Sequence, residues 1–255
     1  MTISSWTYEE RVVAFVDVLG YKALTSMPDQ ACQHTVALIS KHLAASRYDA
    51  EVNGFITKAG RHFSARLFSD CICMSDEVSG TGCRNVVIQV AELAQNLTRN
   101  GIYVRGGVSI GRHFQDVNIV FGEGIVRAYE IEHVRAKVPR VVLEVGIAER
   151  LPADVVQLVS TDVDGELFVD FWRFWKWDHA KLDMDLQLLS AADRHAGILE
   201  AFREAKAALE RNLVSGAKSP SSVRKKLKWL AQYQNTRASE LLDPQDASAV
   251  VVRTN

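Results

Sequence analysis

Hydrophobic and polar positions fall into a few clear patterns along the chain. Val12-Val13-Ala14-Phe15-Val16 and Val18-Leu19 form a β-branched apolar run, too short before Gly20 for a helix, and predict a buried strand with one carboxylate, Asp17, near its end. Helical spacing follows over residues 29–48, where Cys32, Val36, Ile39 and Leu43 share a stripe behind a Pro28-Asp29 start. Polar residues 53–60 predict a loop. Residues 62–76 carry two strands: Phe63, Ala65 and Leu67 alternate with Ser64 and Arg66, then Cys71-Ile72-Cys73-Met74 follows a Ser69-Asp70 turn. A second carboxylate, Asp70, is thereby placed at a hairpin tip between apolar strands.

The alternation of elements continues. Residues 81–99 predict a helix with Val86 or Val87, Val90, Leu93, Ala94 and Leu97 inward, closed by Asn100-Gly101. Strands are predicted over 102–111 and 117–121, a helix from Gly122-Glu123-Gly124 to about 136, a strand over 141–145, and a turn at Asp164-Gly165 leading into 166–174. The order β-α-β-β-α-β-β-α-β predicts an α+β sheet with helices on it. Beyond it, Phe171, Trp172, Phe174, Trp175 and Trp177 crowd together and read as core or interface packing. Ser190 opens a long helix with Ile198, Phe202, Ala205, Leu209 and Leu213 on one stripe, and Gly216 to Ser222 breaks the chain. A last helix carries Val223, Leu227, Leu230 and Gln234 on one side, with Arg224, Lys225, Lys226 and Lys228 read as a solvated face. Residues 1–175 are expected to form the sheet domain and 176–255 a C-terminal helical extension.

Composition narrows the function. In 255 residues, 47% hydrophobic, a full core is affordable, and a formal charge of −1 gives no global attraction to nucleic acid or anionic membrane. No apolar stretch nears the ~20 residues of a membrane span. The start has no basic-then-apolar signal pattern, so the expectation is a soluble, cytoplasmic protein. Cys32, Cys71, Cys73 and Cys83 lack zinc spacing and read as buried thiols in a reducing compartment. The seven histidines show no ligand spacing.

The two acids carry the chemistry. An unpaired carboxylate in an apolar interior costs several kcal/mol or is neutralised, so Asp17 calls for a partner, and a metal at the strand's exit would serve. Gly20 lets the backbone turn so that amides of Leu19, Gly20 and Tyr21 could face an anion. Two acids, each ending an apolar strand, suit a two-metal phosphoryl-transfer site, in which ions roughly 3.5–4 Å apart activate an attacking oxygen and clamp a triphosphate.

Here a resemblance becomes specific. Phe15-Val16-Asp17-Val18-Leu19-Gly20-Tyr21 resembles the Phe-x-Asp-Ile-x-Gly-Phe signature of class III nucleotidyl cyclases, and Phe68-Ser69-Asp70 resembles their Ile-Gly-Asp hairpin. Arg105-x-Gly107-x-x-x-Gly111 and the Gly122-Glu123-Gly124 helix start follow in that family's order, over about residues 10 to 150. The resemblance implies a class III cyclase-like sheet with a ferredoxin-like β-α-β-β-α-β core. It also implies a homodimer whose composite sites convert a nucleoside triphosphate to a 3′,5′-cyclic monophosphate and pyrophosphate. Asp17, Asp70 and the backbone carbonyl of Val18 would hold two magnesium or manganese ions.

Where purine cyclases carry an Asn and an Arg on the helix after Gly122, this chain has Val126 and Glu130, and Ile119 stands where they place a purine-reading Asp. Phosphate contacts would then come from elsewhere, such as Arg127. With its C-terminal helices the chain looks most like the Pycsar pyrimidine cyclases of bacterial anti-phage defence, which make cyclic UMP or cyclic CMP for a downstream cyclic-nucleotide-binding effector. Arg66, four residues before Asp70, occupies the strand where purine cyclases place a base-reading residue, and implies UTP over CTP as substrate. The alternatives are a cytidylate cyclase, a catalytically dead nucleotide-binding regulator, and a palm-type polymerase or diguanylate cyclase relative, although the last lacks the Gly-Gly-Asp/Glu-Glu-Phe hairpin.

Overall fold

The computed structural model describes residues 8–26, 28–48, 63–116, 118–174 and 190–254. The expected loop over 53–60, and Trp175 and Trp177 of the aromatic group, lie outside the described residues.

Strand β1 (Glu9–Leu19) lies between β3 (Cys71–Glu77) and β4 (Tyr103–Gln115) and pairs antiparallel with both. With a neighbour on each edge and helices on the faces, its residues 12–16 are buried on both sides, which is why the run is apolar without alternation. Outside β3 runs β2 (Ser64–Phe68), and the order β2-β3-β1-β4 is that of a ferredoxin-like β-α-β-β-α-β unit. On the other side β6 (Val141–Leu143) pairs parallel with β4, followed by β8 (Leu167–Val169) and β7 (Val159–Thr161). The short β5 (Val120–Gly122) folds back on the far end of β4. The architecture is the α+β sheet with helices that the sequence predicts; β7 is an addition to it.

The two faces of the sheet differ. Val12, Ala14, Val16 and Val18 join Ile72, Met74 and Val104 beneath Ile39 of α2 (Asp29–Tyr48) and Val86, Val90 and Leu93 of α3 (Gly80–Arg99). On α2 the buried stripe differs from the expected one: Val36 is 58% exposed, and His42 is buried instead. The opposite face carries Phe15, Asp17, Cys71, Cys73 and Arg105, and α4 (Glu123–Val134) crosses it. That crossing is very close: a Cβ on Gly107 would stand 2.3 Å from the carbonyl oxygen of Ala128, so only glycine fits. Ser109 Oγ donates to the Gly124 carbonyl at 2.7 Å and fixes the start of the same helix.

The C-terminal part is two long helices, α5 (Ala191–Ser215) and α6 (Ser221–Leu241), and the short α7 (Pro244–Ala249). Ser190 and Asp193 form a capping box at the start of α5. Phe202 stacks on Trp172 with ring centroids 4.1 Å apart, and Phe202, Ala205 and Tyr233 share one hydrophobic core with the sheet. Phe171, Trp172 and Phe174 are thus core, as expected. A second cluster joins Leu227 and Leu230 of α6 to Tyr103 and Leu209, with Leu19 packed against it. Through it α6 rests on the end of β1 and β4.

Candidate active site

Asp17 stands three positions before the turn at Gly20, whose φ of +77° is readily adopted by glycine and starts the single-turn helix α1 (Tyr21–Leu24). Leu19, Gly20 and Tyr21 therefore form the bend out of β1, and first-turn amides of α1 have no intrahelical partners by geometry. In register, Asp17 faces Cys71 on one side and Arg105 on the other. The β2–β3 hairpin turns through Ser69, in the left-handed region at φ 56°, and Asp70. Val18 donates its backbone N–H to the Asp70 carbonyl at 2.8 Å, which ties the hairpin tip to the strand end.

The two acids predicted from the sequence therefore meet. Asp17, Asp70 and Cys71 can each offer a ligand atom within 4.8 Å of the others. The Cys71 thiol donates to Asp70 Oδ1 at 3.5 Å, and burial followed by the Asp70 charge pushes its pKa up to about 12. It stays a neutral thiol, so the donor set is in effect two carboxylates, suited to hard ions such as magnesium or manganese.

Asp17 lies among other charged residues, and to two of them, Glu132 and Lys226, sequence reasoning gave another role or none. Arg105 Nε donates to Asp17 Oδ2 at 3.3 Å and lies 2.5 Å from Glu132 Oε1, an ion contact without hydrogen-bond alignment. Glu132 is a buried acid on α4, delivered here by the close crossing at Gly107. Burial raises the pKa of both Asp17 and Glu132, and for Asp17 it outweighs the hydrogen bond and charge of Arg105 that act the other way. Lys226 of α6 is half-buried and electrostatically coupled to Arg105, Asp17 and Glu132. It is thus set apart from the exposed Lys225 and Lys228, and the solvated-face reading fails for it. Helical spacing placed it one residue before the apolar Leu227, but no local pattern could say that α6 lies against the end of β1.

Arg66 pairs in register with Cys73, which pairs with Phe15, so Arg66 and Phe15 lie on one face of the sheet along with Asp17. Its Nε is buried with no hydrogen-bond partner among the described residues. On this face opens a cavity of about 470 Å³ lined by Phe15, Phe68, Asn118, Val120, Ile125, Val126 and Tyr129. Tyr129 meets the Phe15 ring edge-on at 5.5 Å and stacks on His133. Phe68, Phe121, Val126 and Tyr129 are exposed around it. Arg127 points its charge elsewhere: it is paired with Glu123 and Glu144, and Glu144 also accepts from the Ile110 amide.

A second group, His195, Asp243 and Asp246, has an evident structural role. Asp243 caps α7 by accepting the amides of Gln245 and Asp246, and His195 on α5 meets Asp246 at 2.7 Å.

No family model and no curated protein matches the chain. Among solved structures it is similar to a bacterial light-regulated adenylyl cyclase, at 13% identity and a TM-score of 0.41, covering 66% of this chain and 54% of that one. It is also similar to the monomeric guanylyl cyclase domain of a rhodopsin fusion protein from the aquatic fungus Blastocladiella emersonii, at 14% identity and 0.44, covering 63% and 94%. A third is the catalytic core of a rhodopsin-guanylyl cyclase with converted specificity in complex with ATPαS, at 13% and 0.42, covering 65% and 98%. The chain spans about half the length of the first of these. Likeness at this level bears on neither substrate nor activity.

Proposed function

We propose that the chain is a nucleotide cyclase converting a nucleoside triphosphate, UTP in preference to CTP, to its 3′,5′-cyclic monophosphate and pyrophosphate. The observation that carries this reading is the convergence of Asp17 and Asp70, two carboxylates from separate strand ends held together by the Val18–Asp70 backbone bond. Structural acids would be expected to pair off with arginines; here Asp70 has no ion-pair partner among the described residues, and Asp17 meets Arg105 only at its Oδ2. The two carboxylates fit a pair of divalent ions, with Val18 the adjoining backbone group. When bound, such ions lower the pKa of a 3′-hydroxyl and neutralise the leaving phosphates.

The chain's own residues would supply the rest. Phe15 and Tyr129 give the cavity an aromatic wall on which a base can stack, worth roughly 1–3 kcal/mol. Arg66, with a buried unpaired Nε on the same face, would donate to a uracil carbonyl. Exposed Phe68, Phe121, Val126 and Tyr129 around the cavity suit a symmetric partner copy, which would close the site from solvent. Arg127, spent on Glu144 within one chain, would reach phosphate only by exchanging that partner. The cyclic product would act through a cyclic-nucleotide-binding effector, as in the Pycsar systems the sequence resembles.

Incubation of the purified protein with each of four labelled triphosphates and manganese, followed by chromatography, tests the reading. Cyclic UMP should dominate. No cyclic product from any triphosphate would overturn the cyclase assignment, and a preference for CTP or a purine would overturn the uridylate assignment alone.

A further inference from the structure

The C-terminal helices add a charge to the site. Leu227 and Leu230 anchor α6 on Tyr103, the register partner of Leu19, two residues from Asp17 and Arg105 on their strands. A Cβ on Gly216 would stand 3.0 Å from Leu227 Cδ1, so the chain just before α6 closes tightly over the same anchor. Lys226 is consequently held at the site's edge by its neighbour's burial. It is half-buried, yet no carboxylate lies within 4.0 Å of its amine among the described residues. The nearby acids Asp17 and Glu132 are already met by Arg105. Burial, and after it the Arg105 charge, disfavour an ammonium at this place and outweigh the Asp17 and Glu132 charges that favour it. A purely structural lysine would relieve that cost by pairing with an acid.

We infer that Lys226 is a phosphate-holding residue of this site, contacting the polyphosphate of the bound nucleotide from the C-terminal helical extension. The inference rests on the nucleotide reading above. Its logic is charge balance. Arg105 and Lys226 offset part of the charge of Asp17, Asp70 and Glu132 in the metal-free protein. Once divalent ions neutralise Asp17 and Asp70, Glu132 still balances Arg105 and the Lys226 charge is left over, which a triphosphate matches. An ammonium acts on phosphate as a compact charge with three donors and needs no planar geometry. The extension would thus serve binding as well as packing, and would couple the placement of α6 to substrate affinity.

Binding of inorganic tripolyphosphate in the presence of manganese, measured calorimetrically on the full chain, tests this without relying on turnover. Lys226→Ala and Lys226→Met should bind about tenfold to a hundredfold more weakly than wild type, the range of one charge-assisted hydrogen bond. The methionine variant keeps the apolar stem, so it also controls for packing. Lys226→Arg should restore most of the affinity, and Lys225→Ala, on the exposed side, should match wild type. Unchanged tripolyphosphate affinity in both Lys226→Ala and Lys226→Met overturns the inference and leaves the two-ion site standing. If wild type itself binds no tripolyphosphate with manganese, the nucleotide reading falls and the role of Lys226 with it.

Discussion

Val18 donates its amide to the carbonyl of Asp70 across 2.8 Å, so the hairpin that carries one site carboxylate is fastened to the strand that carries the other. This single bond sets the spacing of Asp17 and Asp70 through backbone rather than through flexible side chains. Preorganisation of this kind keeps two repelling acids together before any metal ion arrives.

Replacing Asp17 or Asp70 by Asn should abolish cyclisation, since each supplies half of the carboxylate donor set. Metal-free stability should respond differently. Burial holds the Asp17 pKa above its ordinary value, so its stability contribution is full below the unfolded pKa and is lost as pH rises through the raised folded pKa. Asp17→Asn should therefore melt at or above the wild-type temperature at neutral pH, with the gain vanishing in acid. Either variant retaining a tenth of wild-type turnover would sink the two-ion assignment.

His42 gives a separate pH signature. It is buried on α2, and burial pushes its pKa down to about 4 from 6.5. The unfolded chain takes up the proton first, so stability is full above about 6.5 and declines as pH falls towards 4. The shift corresponds to about 3 kcal/mol. Chemical denaturation at pH 7.5 and pH 4.5 should show wild type losing about that much more than His42→Leu. Equal losses in the two proteins would show that His42 is not held neutral by the fold.

Assembly follows from the exposed apolar rim. Sedimentation should find a dimer for wild type and a monomer for Val126→Glu, which sets a charge where 54% of a valine is now exposed beside the cavity. Mixing inactive Asp17→Ala protein with protein inactivated on α4 should recover part of the activity, because one of two shared sites would be intact. A wild-type monomer fully active at high dilution would refute shared sites.

Much of this arrangement was legible in the sequence because the relevant signals are local. The β-branched run ending in Asp17, the Ser69-Asp70 turn and the glycines of β4 each specify backbone within a few residues, so the succession of elements followed from them, whereas the sheet order and the meeting of the two acids were expected from the family resemblance. Glu132 and Lys226 were not legible. Each looks locally like an ordinary polar helix position, and only the close crossing at Gly107 and the seating of Leu227 on Tyr103 bring them to Asp17. The stripe on α2 was misread at Val36 for a related reason: which side of an amphipathic helix faces inward is decided by the neighbour, here α3, and His42 was the residue buried against it.

The proposed preference for UTP turns on Arg66. From β2 its guanidinium lies on the face that carries Phe15 and Asp17, and it can only donate hydrogen bonds. Uracil offers acceptors at O4 and O2, whereas cytosine presents an amino donor at C4 that would face the arginine unmatched. A buried donor left without an acceptor costs roughly 1–3 kcal/mol, about tenfold to a hundredfold in kcat/KM. UTP should exceed CTP by that factor, and Arg66→Ala should bring the ratio near one while manganese affinity stays within about twofold of wild type, since a base contact contributes little to ion binding. A ratio unchanged by Arg66→Ala would remove Arg66 from the base pocket, and loss of manganese binding in that variant would place it instead beside the metal ligands.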